Sequence, residues 1–200
     1  MLAPRLGAIA DDLTGSCDAG VKFAQRGFSS LVRLDPAQAS PTELVILCTH
    51  SRNDPPDVAR GKVRQACELL MAERREVIYK KIDSTLQGNI CPELEEAMNC
   101  CGCSLGIVAP AFPALGRAIE GGWLQVGGTP GLHPVHVPTL FERQGAQSVI
   151  HVGITLLRTD SRKLIERLEE ASATATSTIA VIDAVSHNDR VLSVSLRDSS

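Results

Sequence analysis

The chain has 200 residues, 44% hydrophobic and 22% charged, which is enough apolar material for one substantial core. Its 20 Lys+Arg against 23 Asp+Glu give a net charge of −3, so no basic field is available to hold nucleic acid through counterion release. The longest apolar runs, such as Leu44 to Cys48, fall far short of the roughly 18 residues of a membrane helix. The apolar stretch before Asp11-Asp12 is too short for a signal-peptide core, and the seven cysteines, an odd number, leave no complete disulfide framework. These features predict a reduced, cytoplasmic globular protein with neither nucleic acid nor membrane as a partner.

In chain order, Leu6–Ala10 reads as a buried strand, followed by a helix over Cys17–Gln25 closed by Gly27. Ser30–Leu34 and Glu43–Thr49 are two further β-rich runs. From Asp57 to Arg74 the apolar residues Ala59, Val63, Ala66, Cys67 and Leu70 recur at helical spacing, with Arg60, Arg64, Glu68 and Glu73 on the opposite face. Glu76–Ile82 is strand-like, Pro92–Asn99 a short acidic helix, and Leu105–Ala109 another buried run. Residues 111–147, rich in Gly and Pro, read as long loops with one short strand at His133–Val137. Asp160 or Ser161 caps a helix striped with Leu164, Ile165, Leu168 and Ala171, and Thr178–Ile182 is the last strand. Strand–helix alternation of this kind predicts an α/β single domain: an open, mainly parallel sheet with helices on both faces.

In such a sheet, ligands bind beyond the carboxyl ends of the strands. The segments there are Asp11 to Asp18, Thr49 to Arg52, Lys80 to Asn89, and Ala109 to Arg117. All four carry charge or hydroxyls, while the strand interiors carry almost none. An Arg with a Lys can hold a carboxylate or phosphate, and aspartates accept hydrogen bonds from sugar hydroxyls. Ser84, Thr85 and the amides near Gly88 would make an anion-friendly turn. A small polyhydroxylated acid satisfies the set. Each residue also has a plainer reading: Asp11 or Asp12 as a helix cap, Asp83 as a turn cap, and Arg52 and Lys81 as solvated charges. His50, His133, His136, His151 and His187 lack paired ligand spacing, and Trp123 suits loop packing better than a stacking platform. Cys100-Cys101-Gly102-Cys103 has no second Cys pair, so it reads as a helix end and no metal site is expected.

Two nucleotide or phosphate chemistries fail on inspection. Aligning Asp12 and Thr14 on an Asp-x-Asp-x-Thr phosphatase motif puts Ala10 at the nucleophile, and no Gly-x4-Gly-Lys-Ser/Thr or Gly-x-Gly-x2-Gly loop is present.

The blocks Ile9-Ala-Asp-Asp-Leu-Thr-Gly15 with Asp18 and Gly20, Ser51-Arg52, Lys81-Ile-Asp-Ser-Thr-Leu86 with Gly88-Asn89, Pro110 to Arg117, and Val181-Ile-Asp183 with Asp189 follow one another in order. Together they resemble the N-terminal, sugar-acid-binding domain of the four-carbon acid sugar kinase family, whose members act on threonate, erythronate-related and 3-oxo-tetronate acids. The resemblance implies that residues 1–200 form the acid-binding half of an ATP-dependent kinase. ATP, with Mg, would be bound mainly by a C-terminal domain expected to lie outside this chain. The 200 residues alone would then be catalytically incomplete, and the alternative is a truncated, non-catalytic sugar-acid-binding or interaction module. Carried over by position, an Asp of the Asp11-Asp12 pair, Arg52, and Lys81 through Ser84 line the acid site. Arg52 is expected on the substrate carboxylate, with Lys81 neutralising charge nearby. Asp12 and Asp83 would accept from hydroxyls, with Asp12 the candidate catalytic residue, and Ser84 would donate to a substrate oxygen. Spacing does not say which Asp lies nearest the reacting group, and the base could equally come from the other half. An uncovered domain face leaves room for a homodimer. The sequence departs from the family at Gln87, where Arg is usual, at Ser16-Cys17, where Ala-Asn is usual, and at Glu120-Gly121-Gly122, which lacks a nearby Asn.

Overall fold

The computed structural model describes residues 5–35, 41–75, 77–127 and 134–189. The expected strand start at Glu76, His133, and the stretch Val194 to Ser200 lie outside them. The chain is α/β with mainly parallel strands, as the alternation predicts, and its contacts divide into two compact units, Met1–Gly102 and Cys103–Ser200.

In the first unit β1 (Leu6–Ala10), α1 (Leu13–Ala24), β2 (Ser30–Arg33), β3 (Leu44–Cys48), α2 (Pro56–Ala72), β4 (Val77–Lys81) and α3 (Ile90–Cys101) follow in order. The four strands form one parallel sheet, β2-β3-β1-β4. Successive strand residues face opposite sides of a sheet, and the core divides accordingly. Ile9, Val45 and Leu47 pack with Val63, Ala66, Cys67 and Leu70 of α2 and Ala97 of α3. Ala8, Ala10, Leu44 and Ile46 pack with Ala19 of α1. Helices therefore cover both faces, and the apolar stripe read for α2 is its buried stripe. The charged face of α2 is less solvated than expected. Arg60 donates to Glu95 at 2.8 Å and Arg64 to Glu96 at 2.7 Å, because α3 lies alongside and turns its acidic residues toward them.

In the second unit β5 (Leu105–Val108), β9 (Val149–Val152) and β10 (Thr178–Ile182) form a separate parallel sheet, β5-β10-β9. Its core joins Val152, Ala180 and Ile182 to Leu157 of α5 (Ile154–Thr159) and to Leu164 and Leu168 of α6 (Ser161–Thr174). Strand β5 hydrogen-bonds to β10 and is not a strand of the first sheet, so the four strand ends expected in one sheet are divided between two. The region read as long loops holds a third, antiparallel sheet of β6 (Arg117–Glu120), β7 (Trp123–Val126) and β8 (Val135–His136), followed by α4 (Val137–Arg143). Trp123 thus lies on a strand rather than in a loop, 47% exposed, with its ring 4.9 Å from that of His136. No helix is long and apolar enough to cross a membrane, among the described residues.

Candidate functional site: an arginine among three aspartates

The parallel strands β1, β3 and β4 deliver their carboxyl ends to one rim. Asp11 and Asp12 leave β1, and Asp12 caps α1 by accepting from the Gly15 N–H at 2.7 Å. The loop after β3 is tied to them by backbone bonds, Thr49 N–H to the Ala10 carbonyl and Ser51 N–H to the Asp11 carbonyl. Arg52 follows, and its guanidinium nitrogens all face aspartates. Nε donates to Asp11 Oδ2 at 2.7 Å and Nη2 to Asp11 Oδ1 at 3.1 Å. Nη1 lies 2.9 Å from Asp12 Oδ2, and Nη2 lies 3.4 Å from Asp83 Oδ1. Residues from three distant chain segments thus meet at one point. Cap and ion-pair readings of Asp12 both hold, because each role uses a different carboxylate oxygen.

Exposure ranks the carboxylates. The Asp11 side chain is 5% exposed, that of Asp83 17% and that of Asp12 26%. Asp11 is an inner anchor, and Asp12 is the most accessible acceptor of the three. Arg52 is held charged above its usual value, first by its hydrogen bond to Asp11 and then by the charges of Asp11, Asp83 and Asp12, against the cost of burial.

The segment after β4 forms a tight turn around Asp83, with Leu86 N–H bonded to the Asp83 carbonyl. Asp83 Oδ2 accepts from the Thr85 N–H at 2.9 Å, from the Thr85 hydroxyl, and from the Gln87 N–H at 3.3 Å. Burial would raise the Asp83 carboxyl, but these bonds and Arg52 outweigh it and the pKa is lowered. Two amides of the turn expected to cradle an external anion, those of Thr85 and Gln87, are therefore spent on a carboxylate of the chain itself. Ser84 lies half-buried in this turn, beside Asp83. Leu86 has φ +63° and Gly88 φ +92°, and a Cβ on Gly88 would stand 3.1 Å from Arg52 Cγ and 3.2 Å from its carbonyl oxygen. Glycine at 88 is what lets the turn close over Arg52.

The two lysines ending β4 point to opposite faces. Lys81 Nζ donates to the Ile82 carbonyl at 2.7 Å and feels the charges of Asp18, Asp83, Asp11 and Asp12, yet burial is the larger effect and lowers its pKa. Lys80, whose role the sequence reading missed, is 4% exposed and pairs at 2.7 Å with Glu93, itself 1% exposed. Glu93 also accepts from the Ser51 hydroxyl at 2.6 Å, and Lys80 Nζ donates to the Lys81 carbonyl at 2.8 Å. This buried pair fixes the neighbours of Arg52 and Lys81 from beneath. Asn89 adds two donor contacts, to the Ser51 and Asp54 carbonyls. Two adjacent lysines at a strand end were the available signal, since alternation sends one of them inward.

Asp183 and Asp189 of the second unit have different occupations. Asp183, 1% exposed, accepts from the Gly121 and Gly122 N–H groups at 2.8 and 3.0 Å and contacts His151 Nε2 at 2.8 Å. It clamps the turn joining β6 and β7, where both glycines have positive φ. Asp189 pairs with Arg158 through both oxygens and accepts from Val185, Ser186 and the Ser186 hydroxyl, which hold its carboxyl far below the usual range. The cysteines differ in burial: Cys48, Cys67 and Cys91 are buried, while Cys17, Cys101 and Cys103 are exposed. Among the described residues no group of three or more His, Cys, Asp or Glu side chains is arranged to hold a metal ion.

Comparison with known proteins gives this rim its context. The family described as "Sugar-binding N-terminal domain" matches residues 6–196. The chain belongs to this family. Relatives of this sugar-binding domain include a D-threonate kinase of Salmonella typhimurium, 35% identical over 92% of this chain and 46% of that protein. A D-erythronate kinase of Heliobacterium modesticaldum is 33% identical over 90% of this chain and 45% of its own length. A 3-oxo-tetronate kinase of Methylobacterium radiotolerans is 28% identical over 92% and 48%. The chain spans about half the length of the curated relatives it matches. Among solved structures, a Haemophilus influenzae protein shares the fold at TM-score 0.85 and 23% identity, over 97% of this chain and 52% of that one. A domain of unknown function from Bordetella bronchiseptica, a domain-swapped dimer with bound citrate, matches at TM-score 0.73 and 31% identity, over 93% and 48%. The matched range includes the residues that build the Arg52 cluster.

Proposed function

We propose that this chain is the acid-binding half of an ATP-dependent kinase that phosphorylates a hydroxyl of a four-carbon sugar acid, of the threonate, erythronate or 3-oxo-tetronate type. The carrying observation is the convergence of Asp11, Asp12 and Asp83 on Arg52, with Lys81 beside them. Three carboxylates and two cations make a rim rich in acceptors with positive charge close by, which suits a small molecule bearing several hydroxyls and one carboxylate. Names of relatives, and the citrate bound to the Bordetella domain, support the same ligand class.

In this reading Asp12 accepts from the reacting hydroxyl and draws its proton. It is the most exposed of the three carboxylates and is oriented by Gly15 and Arg52. Asp83 accepts from a second hydroxyl, and Ser84 donates to a substrate oxygen. Arg52 holds the aspartates in place and, with Lys81, lowers the cost of bringing the ligand's carboxylate to the rim. Asp11 anchors Arg52. ATP does not fit this rim, because three carboxylates would repel a triphosphate and the turn amides are already bonded to Asp83. In this reading ATP and its Mg are held by residues outside this rim. A cytoplasmic location and a homodimer accompany this reading, the latter supported by the domain-swapped dimer of the Bordetella domain.

Calorimetry of the 200-residue chain with threonate, erythronate and 3-oxo-tetronate isomers tests the proposal. Saturable heat with at least one acid is expected, lost in Arg52→Ala, and no turnover should appear on adding ATP and Mg. Absence of heat with every acid would overturn the reading, and turnover by this chain alone would overturn its incompleteness.

A further inference from the structure

The backbone that carries Arg52 is held from outside its own loop. Ser51 to Asp54 form a tight turn, closed by the Asp54 N–H on the Ser51 carbonyl at 3.1 Å, and Arg52 is the second residue of it. Asn89 Nδ2 donates to both ends of that turn, to the Ser51 carbonyl at 3.1 Å and to the Asp54 carbonyl at 2.9 Å. Both partners are acceptors only, so the contacts need a group with two hydrogens to give, which the carboxamide nitrogen has. Asn89 is also the N-cap of α3, where an asparagine usually accepts from the first amides of the helix, yet its side chain makes no cap bond. Its donors are turned to the loop after β3 instead. The same segment meets the Arg52 side chain twice more, where Gly88 leaves room for Cγ and where Asp83 Oδ1 stands 3.4 Å from Nη2.

We propose that Asn89 is a positioning residue for sugar-acid binding, acting through Arg52 by fixing the turn from which that side chain projects; the role rests on reading the Arg52 rim as the acid site. The guanidinium stands at the end of a long stem, so a small rotation of the turn becomes a large displacement at its nitrogens. Hydrogen bonds weaken steeply with such misalignment, and Arg52 must keep its bonds to Asp11 while it also faces Asp12 and Asp83. A turn clasped at both ends removes that freedom before a ligand arrives, which leaves less ordering to be done on binding. The missing cap bond fits this role, because a side chain serving only helix stability would be spent on α3.

The test uses the full 200-residue chain with Asn89→Ser and Asn89→Asp. Both substitutes are favoured at helix N-caps, and neither has the two-hydrogen donor. In proton–nitrogen NMR without ligand, the Arg52 Nε–H bonded to Asp11 should exchange slowly with water in the parent and several-fold faster in both variants. By calorimetry, affinity for the threonate, erythronate or 3-oxo-tetronate acid that the parent binds should fall about tenfold. The denaturant midpoint should stay at the parent's value. Unchanged Nε–H exchange in both variants overturns the proposal. So does affinity that holds while exchange accelerates, or a fall in midpoint large enough to account for the lost binding. A parent that binds none of these acids overturns the proposed function, and the ligand-free exchange still confirms or overturns the hold of Asn89 on Arg52.

Discussion

The aspartates that follow strands in the two units look alike in sequence and differ in what surrounds them. Asp11, Asp12 and Asp83 converge on a side chain, Arg52, and grade from buried to a quarter exposed. Asp183 and Asp189 are each almost wholly buried and spend their oxygens on backbone N–H groups, a histidine and an arginine of their own unit. An acidic residue beyond a parallel strand is therefore a site residue only if some of its acceptor capacity faces outward. Where loop donors consume both oxygens, the same residue type acts as a clamp; Asp83 is intermediate, with its Oδ2 spent on the Thr85 and Gln87 N–H groups and its Oδ1 turned to Arg52. Substitutions in the rim should change ligand binding with little effect on folding, and substitutions at the clamps should do the reverse.

The largest expected effect lies beneath the rim. Lys80→Met strands the buried Glu93 carboxylate and should destabilise the first unit by about 3–5 kcal/mol in denaturant unfolding. Adding Glu93→Gln should recover part of that loss; no recovery would mean that the pair is not coupled. Next, Asp183→Ala leaves the Gly121 and Gly122 donors unpaired and should cost about 2–3 kcal/mol of stability. Its sugar-acid affinity should match that of the parent, and a matching loss of affinity would erase the contrast between clamp and rim. Asp12→Asn retains the shape and a cap acceptor but removes the charge, so roughly tenfold weaker binding, ~1.4 kcal/mol, is expected with little change in the unfolding midpoint.

The smallest effect is in pH dependence. Lys81 assists an anionic ligand only while protonated, so its contribution is present below its pKa and lost as pH rises through it. Because burial lowers that pKa, affinity should begin to fall below the ordinary lysine range. Lys81→Arg should move that alkaline fall upward, and an unshifted profile would remove Lys81 from the site. The opposite sign applies to Asp83. Its lowered pKa gives a stabilising contribution that is present above the unfolded carboxylate value and lost as pH falls through the folded one.

Several elements were legible because their signals are local. The α2 stripe from Ala59 to Leu70 is its buried face, and Asp160 caps α6 by accepting from the Lys163 N–H at 3.0 Å. The loop reading of residues 111–147 failed for equally local reasons. Gly121-Gly122 between Glu120 and Trp123 is a two-residue hairpin signal that composition alone obscured. Helix α4 is capped by His136 rather than by Ser, Asp or Asn, and both α4 and α5 are too short to display a helical period.

Sequence alone determined the α/β class and which residues stand beyond the strand ends. Side-chain periodicity and chain direction are properties of neighbouring residues, and parallel strands carry their ends to one rim. Tertiary structure alone decided that β5 joins β10, that Lys80 turns inward to Glu93 while Lys81 stays at the rim, and that Arg52 is held by three aspartates. Each of those outcomes depends on partners distant in the chain, 41 residues apart for Arg52 and Asp11. Strand pairing and burial choose such partners, and no local pattern encodes them.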